Sequence, residues 1–267
     1  MTACSFLMAI MLTTPISAAQ DLSVAGVPIL AYHRFDPKTP ASTTVTLDSF
    51  ESQISALSKQ GYSIVPLDQV VNIVLRKIPA PNARIAAITV DDGHRSVYTV
   101  LFPIIRQRHI PVTLFVYPSA ISNSSYALTW EQLKEMHDSG FVDIQSHTYW
   151  HPNFRTEKSR RTPNDYAAFV NSQLDRSRHK LEEELGIRID LLAWPYGISD
   201  TELTTAAGRA GYRAAFGYAG GVARAGDNAF SIHRIPVPDS ARGRTFEALL
   251  RYSQTHPEGS SANAGHE

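Results

Sequence analysis

The chain alternates between short apolar runs and longer amphipathic segments from residue 28 onward. The short runs have the length and composition of buried strands. They cover residues 28–32, 84–90, 112–117, 141–145, 191–194, 214–218 and 231–237. Apolar residues at helical spacing predict helices over 48–59, 67–77, 97–108, 130–139, 164–185 and 201–210. Because strands and helices alternate, the pattern predicts an α/β fold with a mainly parallel sheet covered by helices.

Seven strands can close into a distorted barrel or remain an open, doubly wound sheet. Hydrophobic periodicity does not separate these two arrangements. Residues 20–252 have the length of one large domain, and an α/β barrel of about 250 residues is a normal single domain. Residues 253–267 are small, polar and aperiodic, so this tail is predicted to be disordered.

The first 19 residues form an apolar run that ends in small residues. Ser17 and Ala19 stand where a secretory cleavage site is expected, so residues 1–19 are predicted to be a signal peptide and the protein to be exported to the periplasm or the cell exterior. The run is shorter than the ~20 residues of a spanning helix, so stable membrane insertion is not expected. The only cysteine, Cys4, lies inside this segment, which leaves the mature chain without a disulfide or a thiolate metal site.

The charges of the chain balance, with 25 Lys and Arg against 25 Asp and Glu. No overall field therefore attracts nucleic acid or an anionic membrane. The charge balance argues against nucleic acid and anionic membranes as partners, but it does not indicate a reaction.

Candidate chemistry lies where predicted strands end. His33, Asp91 with Asp92, His147 and Tyr196 each follow an apolar run. Parallel α/β folds place their sites at the carboxyl ends of strands, where the connecting loops converge. Residues far apart in the sequence are therefore expected to meet on one face.

The segment TVDDG at 89–93 places two adjacent carboxylates after a buried strand. Like charges at close range oppose joint ionisation, and a metal bound to one carboxylate relieves that cost and leaves the other as a base. A plain strand-to-helix turn, with Asp92 as the helix cap, explains the same letters equally well.

The segment SHTYWHP at 146–152 carries His147 and His151 four residues apart. Two histidines and a carboxylate suit a catalytic Zn²⁺ with open positions. Two surface histidines in a polar loop are the alternative. The segment AWPYG at 193–197 ends a strand at a proline, and the next backbone N–H, that of Tyr196, could stabilise an oxyanion. Taken alone, this segment is an ordinary turn.

Together and in this order, the three segments resemble the polysaccharide deacetylase family, the carbohydrate esterases with a NodB-type domain. TVDDG resembles its T-F-D-D-G, SHTYWHP its H-S/T-x-x-H-P, and AWPYG its R-x-P-Y-G. The resemblance implies a distorted (β/α)7-type barrel with a divalent metal, Zn²⁺ above all, held by Asp92, His147 and His151. It also implies that Asp91 is the general base and that the Tyr196 N–H faces the oxyanion.

Two departures from the family pattern shape the remaining predictions. Ala193 stands where the family has an arginine, and the late histidine motif that supplies the general acid is not cleanly present. Both features, with ILAYHRF near the start and a late HRIPV, resemble the branch that deacetylates poly-N-acetylglucosamine, where the acid histidine comes early. The match is His33, with His233 as its competitor. Arg234 is predicted to replace the missing arginine and hold Asp91 through two hydrogen bonds.

The predicted partner is an N-acetylated polysaccharide, and the sequence indicates no protein partner. Three alternatives remain open. The same site could act on peptidoglycan, chitin or xylan esters; two histidines and a carboxylate could form a non-haem Fe(II) oxygenase site; or the domain could bind sugar without catalysis.

Overall fold

The computed structural model describes residues 26–256. The predicted signal peptide, residues 1–19, lies outside the described residues. The strands are β1 Ile29–Tyr32, β2 Arg34–Asp36, β3 Thr44–Thr46, β4 Ser63–Ile64, β5 Ile85–Val90, β6 Val112–Val116, β7 Val142–Ser146, β8 Leu191–Ala193, β9 Ala214–Phe216 and β10 Ile235–Pro236. The helices are α1 Leu47–Lys59, α2 Leu67–Val74, α3 Phe102–Arg108, α4 Trp130–Asp138, α5 Phe154–Ser159, α6 Pro163–Leu185, α7 Thr201–Arg209 and α8 Arg244–Thr255.

The main sheet is parallel and curls into a barrel. Its strands follow the order β10-β1-β5-β6-β7-β8-β9, and β4 pairs with the start of β5. All seven predicted strands are present, each within its predicted run or one residue beyond it. The curled parallel sheet confirms the predicted distorted barrel in a single domain, and the open sheet is excluded.

The segment before β10 closes the barrel. Ile232 forms a parallel bridge with Phe216 of β9, while Ile235 pairs with Leu30 of β1. The first half of the predicted strand 231–237 thus pairs with β9, and the second half pairs with β1. Because the chain changes partner between them, only Ile235–Pro236 is a regular strand, and His233 and Arg234 precede it.

Alternate strand residues divide the core into two layers. Ile29, Ala87, Phe115 and Phe216 face the barrel interior and pack with the apolar face of α2. The intervening strand residues pack outward against the other helices. Asp68 of α2 pairs with Arg213, directly before β9, so α2 covers the amino-terminal end of the barrel. The site lies at the opposite end of the barrel, at the carboxyl ends of the strands.

Helix ends follow local signals. The Thr129 side chain accepts a hydrogen bond from the Gln132 N–H and the Gln132 side chain accepts one from the Thr129 N–H, which forms a capping box at the start of α4. Gly186 ends α6 with a φ of 69°, where a glycine costs little. The predicted helix 97–108 begins instead as a π turn over Val97–Leu101 before α3.

Part of the predicted tail is folded. The helix α8 continues to Thr255, and Ser253 is buried, so residues 253–255 were wrongly assigned to a disordered tail. The helix packs its apolar face against the domain, and this packing holds its polar last residues in place. The polar sequence of those residues does not reveal the packing. Residues 257–267 lie outside the described part of the chain. Within residues 26–256, no helix is long and apolar enough to cross a membrane.

Candidate active site

Three side chains converge at the carboxyl end of the barrel. Oδ1 of Asp92 lies 3.7 Å from Nε2 of His147 and 3.7 Å from Nε2 of His151. One donor atom from each residue lies within 4.8 Å of the other two. Asp92 lies 55 positions before His147, whereas His147 and His151 belong to one segment, and the fold brings the two segments together.

The protonation of His147 suits metal binding. Its Nδ1 lies 2.8 Å from the carbonyl oxygen of Ala193, which can only accept. Nδ1 therefore carries the hydrogen, and the lone pair of Nε2 faces Asp92. A backbone carbonyl that fixes the tautomer is a usual support for a metal-binding histidine. Ala193 thus contributes its carbonyl where the family has an arginine side chain.

The donor set fits a divalent metal such as zinc. Two imidazoles and one carboxylate are the ligand types of catalytic zinc sites, which keep a further position open. His147 is buried, while His151 and Asp92 remain partly exposed, so the site opens to solvent on one side. Asp92, His147 and His151 can therefore hold a metal ion.

Backbone strain is concentrated here. Seven non-glycine residues of the described chain have a positive φ, and four of them are Asp92, Thr148, His151 and Tyr196. Such conformations cost roughly 1–3 kcal/mol each and cluster at functional sites. At Gly93, with a φ of 73°, a Cβ would meet Cγ1 of Val116 at 3.0 Å, so the turn after the carboxylates requires glycine.

The carboxylate of Asp91 is buried and bound by Arg234. Nη1 of Arg234 donates to Oδ1 and Nη2 to Oδ2, both at 2.7 Å. The guanidinium is fully buried, donates also to Oγ1 of Thr89 and the carbonyl oxygen of Gly217, and lies 5.4 Å from the ring of Phe115. The predicted two-bond contact is therefore present. The contact lies in the barrel interior, and Arg234 reaches it from a position before β10 rather than from a strand end.

The pair keeps Asp91 ionised. Burial by itself raises the pKa of the Asp91 carboxyl, but the positive charge of Arg234 and its hydrogen bonds outweigh this effect and hold the pKa well below its ordinary value. Asp91 and Asp92 are adjacent in sequence yet differ in environment: one is paired with arginine, and the other faces the histidines. The two adjacent carboxylates thus have different partners.

His33 lies beside this group. Burial lowers the pKa of the His33 imidazole, and the carboxylates of Asp91 and Asp92 oppose that effect in part. Its ring packs edge-on against the ring of Tyr218 at a centroid distance of 5.4 Å. The structure therefore brings His33 to the site, as expected from its position after β1.

His233 is partly exposed, whereas its neighbour Arg234 is fully buried. The two side chains thus differ in environment, as the sequence alternation predicts. His233 lies before its strand, not inside it. Its role and that of His33 stay predictions.

Tyr196 packs against His151. Its ring is 4.7 Å from the ring of His151, and 54% of its surface is exposed. The next residue, Gly197, approaches Tyr218 so closely that a Cβ would lie 2.7 Å from the backbone nitrogen of Tyr218. This approach fixes the β8 loop beside the end of β9. The use of the Tyr196 N–H toward an oxyanion stays a prediction.

Sequence reasoning missed two tyrosines of the site. Tyr218 packs on His33, and burial with the nearby Asp91 raises its pKa to about 12. Tyr117 lies 5.4 Å from the ring of His151, and its hydroxyl is 2.8 Å from that of Tyr126. Both Tyr117 and Tyr218 are the last residues of predicted strand runs. The strand-end rule that selected His33 could have found them.

Known proteins resemble this chain over most of its length. A sequence profile of the polysaccharide deacetylase family matches residues 79–215. The poly-beta-1,6-N-acetyl-D-glucosamine N-deacetylase of Staphylococcus epidermidis is 25% identical over 242 residues, covering 83% of this chain and 81% of that protein.

Solved structures show the same fold. IcaB from Ammonifex degensii superposes with a TM-score of 0.75 and 25% identity, over 85% of this chain and 97% of that one. The Streptococcus pyogenes deacetylase PplD, in complex with acetate, superposes with a TM-score of 0.74 and 22% identity, over 84% of this chain and 98% of that one. Because the profile covers just over half of the chain and includes both carboxylates and both histidines, the chain belongs to the polysaccharide deacetylase family and is a hydrolase that acts on an amide bond.

Proposed function

We propose that this protein is an exported, metal-dependent deacetylase that removes N-acetyl groups from a poly-N-acetylglucosamine type of polysaccharide. The observation that carries the proposal is that two groups of side chains lie next to each other. The donor trio of Asp92, His147 and His151 stands next to the buried Asp91–Arg234 pair. The name of the similar Staphylococcus epidermidis protein supports the substrate, and the apolar segment 1–19 supports export.

The chemistry is amide hydrolysis. Asp92, His147 and His151 would hold a divalent metal, Zn²⁺ by the donor types, which would make water a better nucleophile near neutral pH and polarise the acetyl carbonyl. Asp91 is ionised and accepts the proton of the attacking water, while Arg234 holds its two oxygens in place. The Tyr196 N–H donates to the oxygen that becomes negative when water adds to the carbonyl carbon.

The leaving amine needs a proton as the C–N bond breaks. His33 lies close to the carboxylates of Asp91 and Asp92 and donates this proton to the amine. The products are a free glucosamine unit and acetate. Burial lowers the pKa of the His33 imidazole, while the negative charges of Asp91 and Asp92 oppose this effect and favour the protonated form that donates. Tyr218 packs against the ring and limits its rotation.

Exposed aromatic rings at the mouth of the site suit a sugar polymer. Among the described residues, five large apolar or aromatic side chains are exposed, and three of them are Tyr126, Trp150 and Tyr196. Trp150 is adjacent to His151 in sequence, and Tyr126 bonds to Tyr117, which contacts His151. Rings exposed beside the histidines can stack on the apolar faces of sugar rings.

Acetate release from β-1,6-linked N-acetylglucosamine oligomers tests the proposal. The wild-type protein is measured as purified, after chelation, and after chelation with zinc restored. We expect release that is lost on chelation and recovered with zinc. Chitin oligomers, peptidoglycan and acetylated xylan are the comparison substrates. Release from one of these alone would contradict the proposed substrate, and release that survives full chelation would contradict the metal dependence.

A further inference from the structure

The loop between the two histidines turns at a strained residue. Thr148 follows His147 directly and has a φ of 63°. A β-branched residue in this region is a true outlier, so surrounding contacts must hold it there. The loop that carries two proposed metal ligands therefore depends on a conformation that the sequence by itself disfavours.

A closed ring of hydrogen bonds holds the backbone of Thr148. Its N–H donates to Oγ of Ser146 at 3.2 Å, and its carbonyl oxygen accepts from Oγ of Ser177 at 3.0 Å. The two serine hydroxyls are 2.8 Å apart. Because the Ser177 hydrogen is used on Thr148, the Ser146 hydroxyl is the donor between them. All three residues are buried, so water does not replace these bonds.

A tyrosine ties the ring to the next part of the barrel. The Tyr212 hydroxyl lies 2.9 Å from Oγ of Ser146 and 3.1 Å from the carbonyl oxygen of Leu174, and these two acceptors share its single hydrogen. Ser177 and Leu174 belong to α6, and Tyr212 lies two residues before β9. The hydrogen bonds thus connect the strained turn to the long helix α6 and to the segment before β9.

The ring acts on both histidines. Ser146 and Thr148 flank His147, and Oγ1 of Thr148 accepts from the backbone N–H of His151 at 3.3 Å. A turn that relaxed at Thr148 would therefore move the backbone of His147 and of His151 together. Neither Ser177 nor Tyr212 contacts the donor atoms, and no motif of the sequence marks them.

We propose that Ser177 and Tyr212 are positioning residues that hold His147 and His151 at metal-binding distance by clamping the strained turn at Thr148. The inference rests on the proposed metal site. Removal of the Ser177 hydroxyl leaves the Thr148 carbonyl buried without its donor, so the turn relaxes and the two Nε2 atoms separate. Metal affinity then falls while the ligands themselves stay unchanged.

The test measures zinc affinity by competition with a chelator, and the visible absorption of the Co²⁺ form. Ser177→Ala is expected to weaken zinc binding about tenfold or more, the range found when groups that orient metal ligands are removed. Its Co²⁺ spectrum is expected to change. Tyr212→Phe, which removes one oxygen, is expected to shift both in the same direction. Thermal unfolding of the metal-free proteins is measured alongside.

Ser49→Ala is the matched control. Ser49 is also a buried helix serine, and its hydroxyl bonds to Asp239 on another part of the chain. It should lose thermal stability but keep wild-type zinc affinity and the wild-type Co²⁺ spectrum. Equal zinc affinity in wild type and both ring variants, or an equal loss in Ser49→Ala, overturns the inference. If Ser177→Ala does not fold, Tyr212→Phe decides alone. A wild-type protein that binds no zinc refutes the proposed metal site instead.

Discussion

Arg234 binds both carboxylate oxygens of Asp91 at 2.7 Å, across 143 positions of sequence and inside the barrel. The two charges are almost fully removed from water. A buried pair of this kind is costly to break because the remaining charge has no partner. The contact therefore fixes Asp91 and also makes the site a point on which the stability of the barrel depends.

Arg234→Met is expected to lower the free energy of unfolding by about 3–5 kcal/mol, because it leaves the Asp91 charge unpaired in the interior. Asp91→Asn combined with Arg234→Met should cost less than the sum of the two single changes, since no lone charge remains. Urea unfolding of the metal-free wild type, both single variants and the double variant measures this coupling. Strictly additive losses would show that the two residues do not depend on each other.

Asp91→Asn should separate metal binding from turnover. The substitution removes a proton acceptor but no proposed ligand, so zinc should remain stoichiometric while kcat falls by about 10²–10⁴-fold. Elemental analysis and acetate release on the same samples provide the two measurements. Loss of zinc together with activity would assign Asp91 to the metal instead.

His147→Ala and His151→Ala should each abolish both stoichiometric zinc and activity, because two remaining protein ligands are too few for a catalytic site. His179→Ala, a helix histidine outside the donor trio, is the control and should keep both. Full zinc occupancy in either ligand variant would refute the assigned donor set.

His33→Ala is expected to reduce kcat by about 10²–10⁴-fold with zinc retained, the contribution of a general acid. His233→Ala, on a partly exposed side chain, should stay near wild type or lose only stability. Both variants are compared by kcat and zinc content. The reverse pattern, with an inactive His233→Ala and an active His33→Ala, would place the acid on the other histidine.

Asp239 should make the fold acid-sensitive. Burial raises the pKa of its carboxyl, but bonds from Ser49 and from the Thr46 N–H and hydroxyl, with Arg242, outweigh it and hold the pKa below its ordinary value. The stabilisation is therefore present above about pH 4, where the unfolded carboxyl ionises, and is lost as the pH falls through the lower folded pKa. Asp239→Asn should cost about 1–3 kcal/mol at pH 7, the range for bonds to a charged group.

Unfolding of wild type and Asp239→Asn is compared from pH 7 to pH 3. The difference between them should narrow below pH 4, because the carboxyl of the unfolded wild type takes up a proton there while the folded carboxyl, with its lower pKa, stays ionised. A difference that stays constant over this range would show that the charge of Asp239 contributes nothing.

Strands and helices that are specified by their own run of residues could be predicted from the sequence. The strands β5 and β6 are buried along their whole length, so they appear as continuous apolar runs. The short strands β2 and β3 were not predicted. They are three residues long, largely polar and pair with each other across a loop. The helix α8 was not predicted, and its last residues, 253–255, were assigned to the tail because they are polar and are stabilised by packing.

The sequence by itself determined the α/β alternation, the turn at the paired carboxylates and the position of His33, Asp91 and His147 directly after strands, because these depend on neighbours along the chain. Only the tertiary structure decided that the barrel closes through the Ile232 bridge, that Arg234 reaches Asp91 through the interior, and that Ser177 clamps the turn at Thr148. Each of these is a contact between segments distant in sequence, and its geometry depends on how the strands and helices pack around the closed sheet.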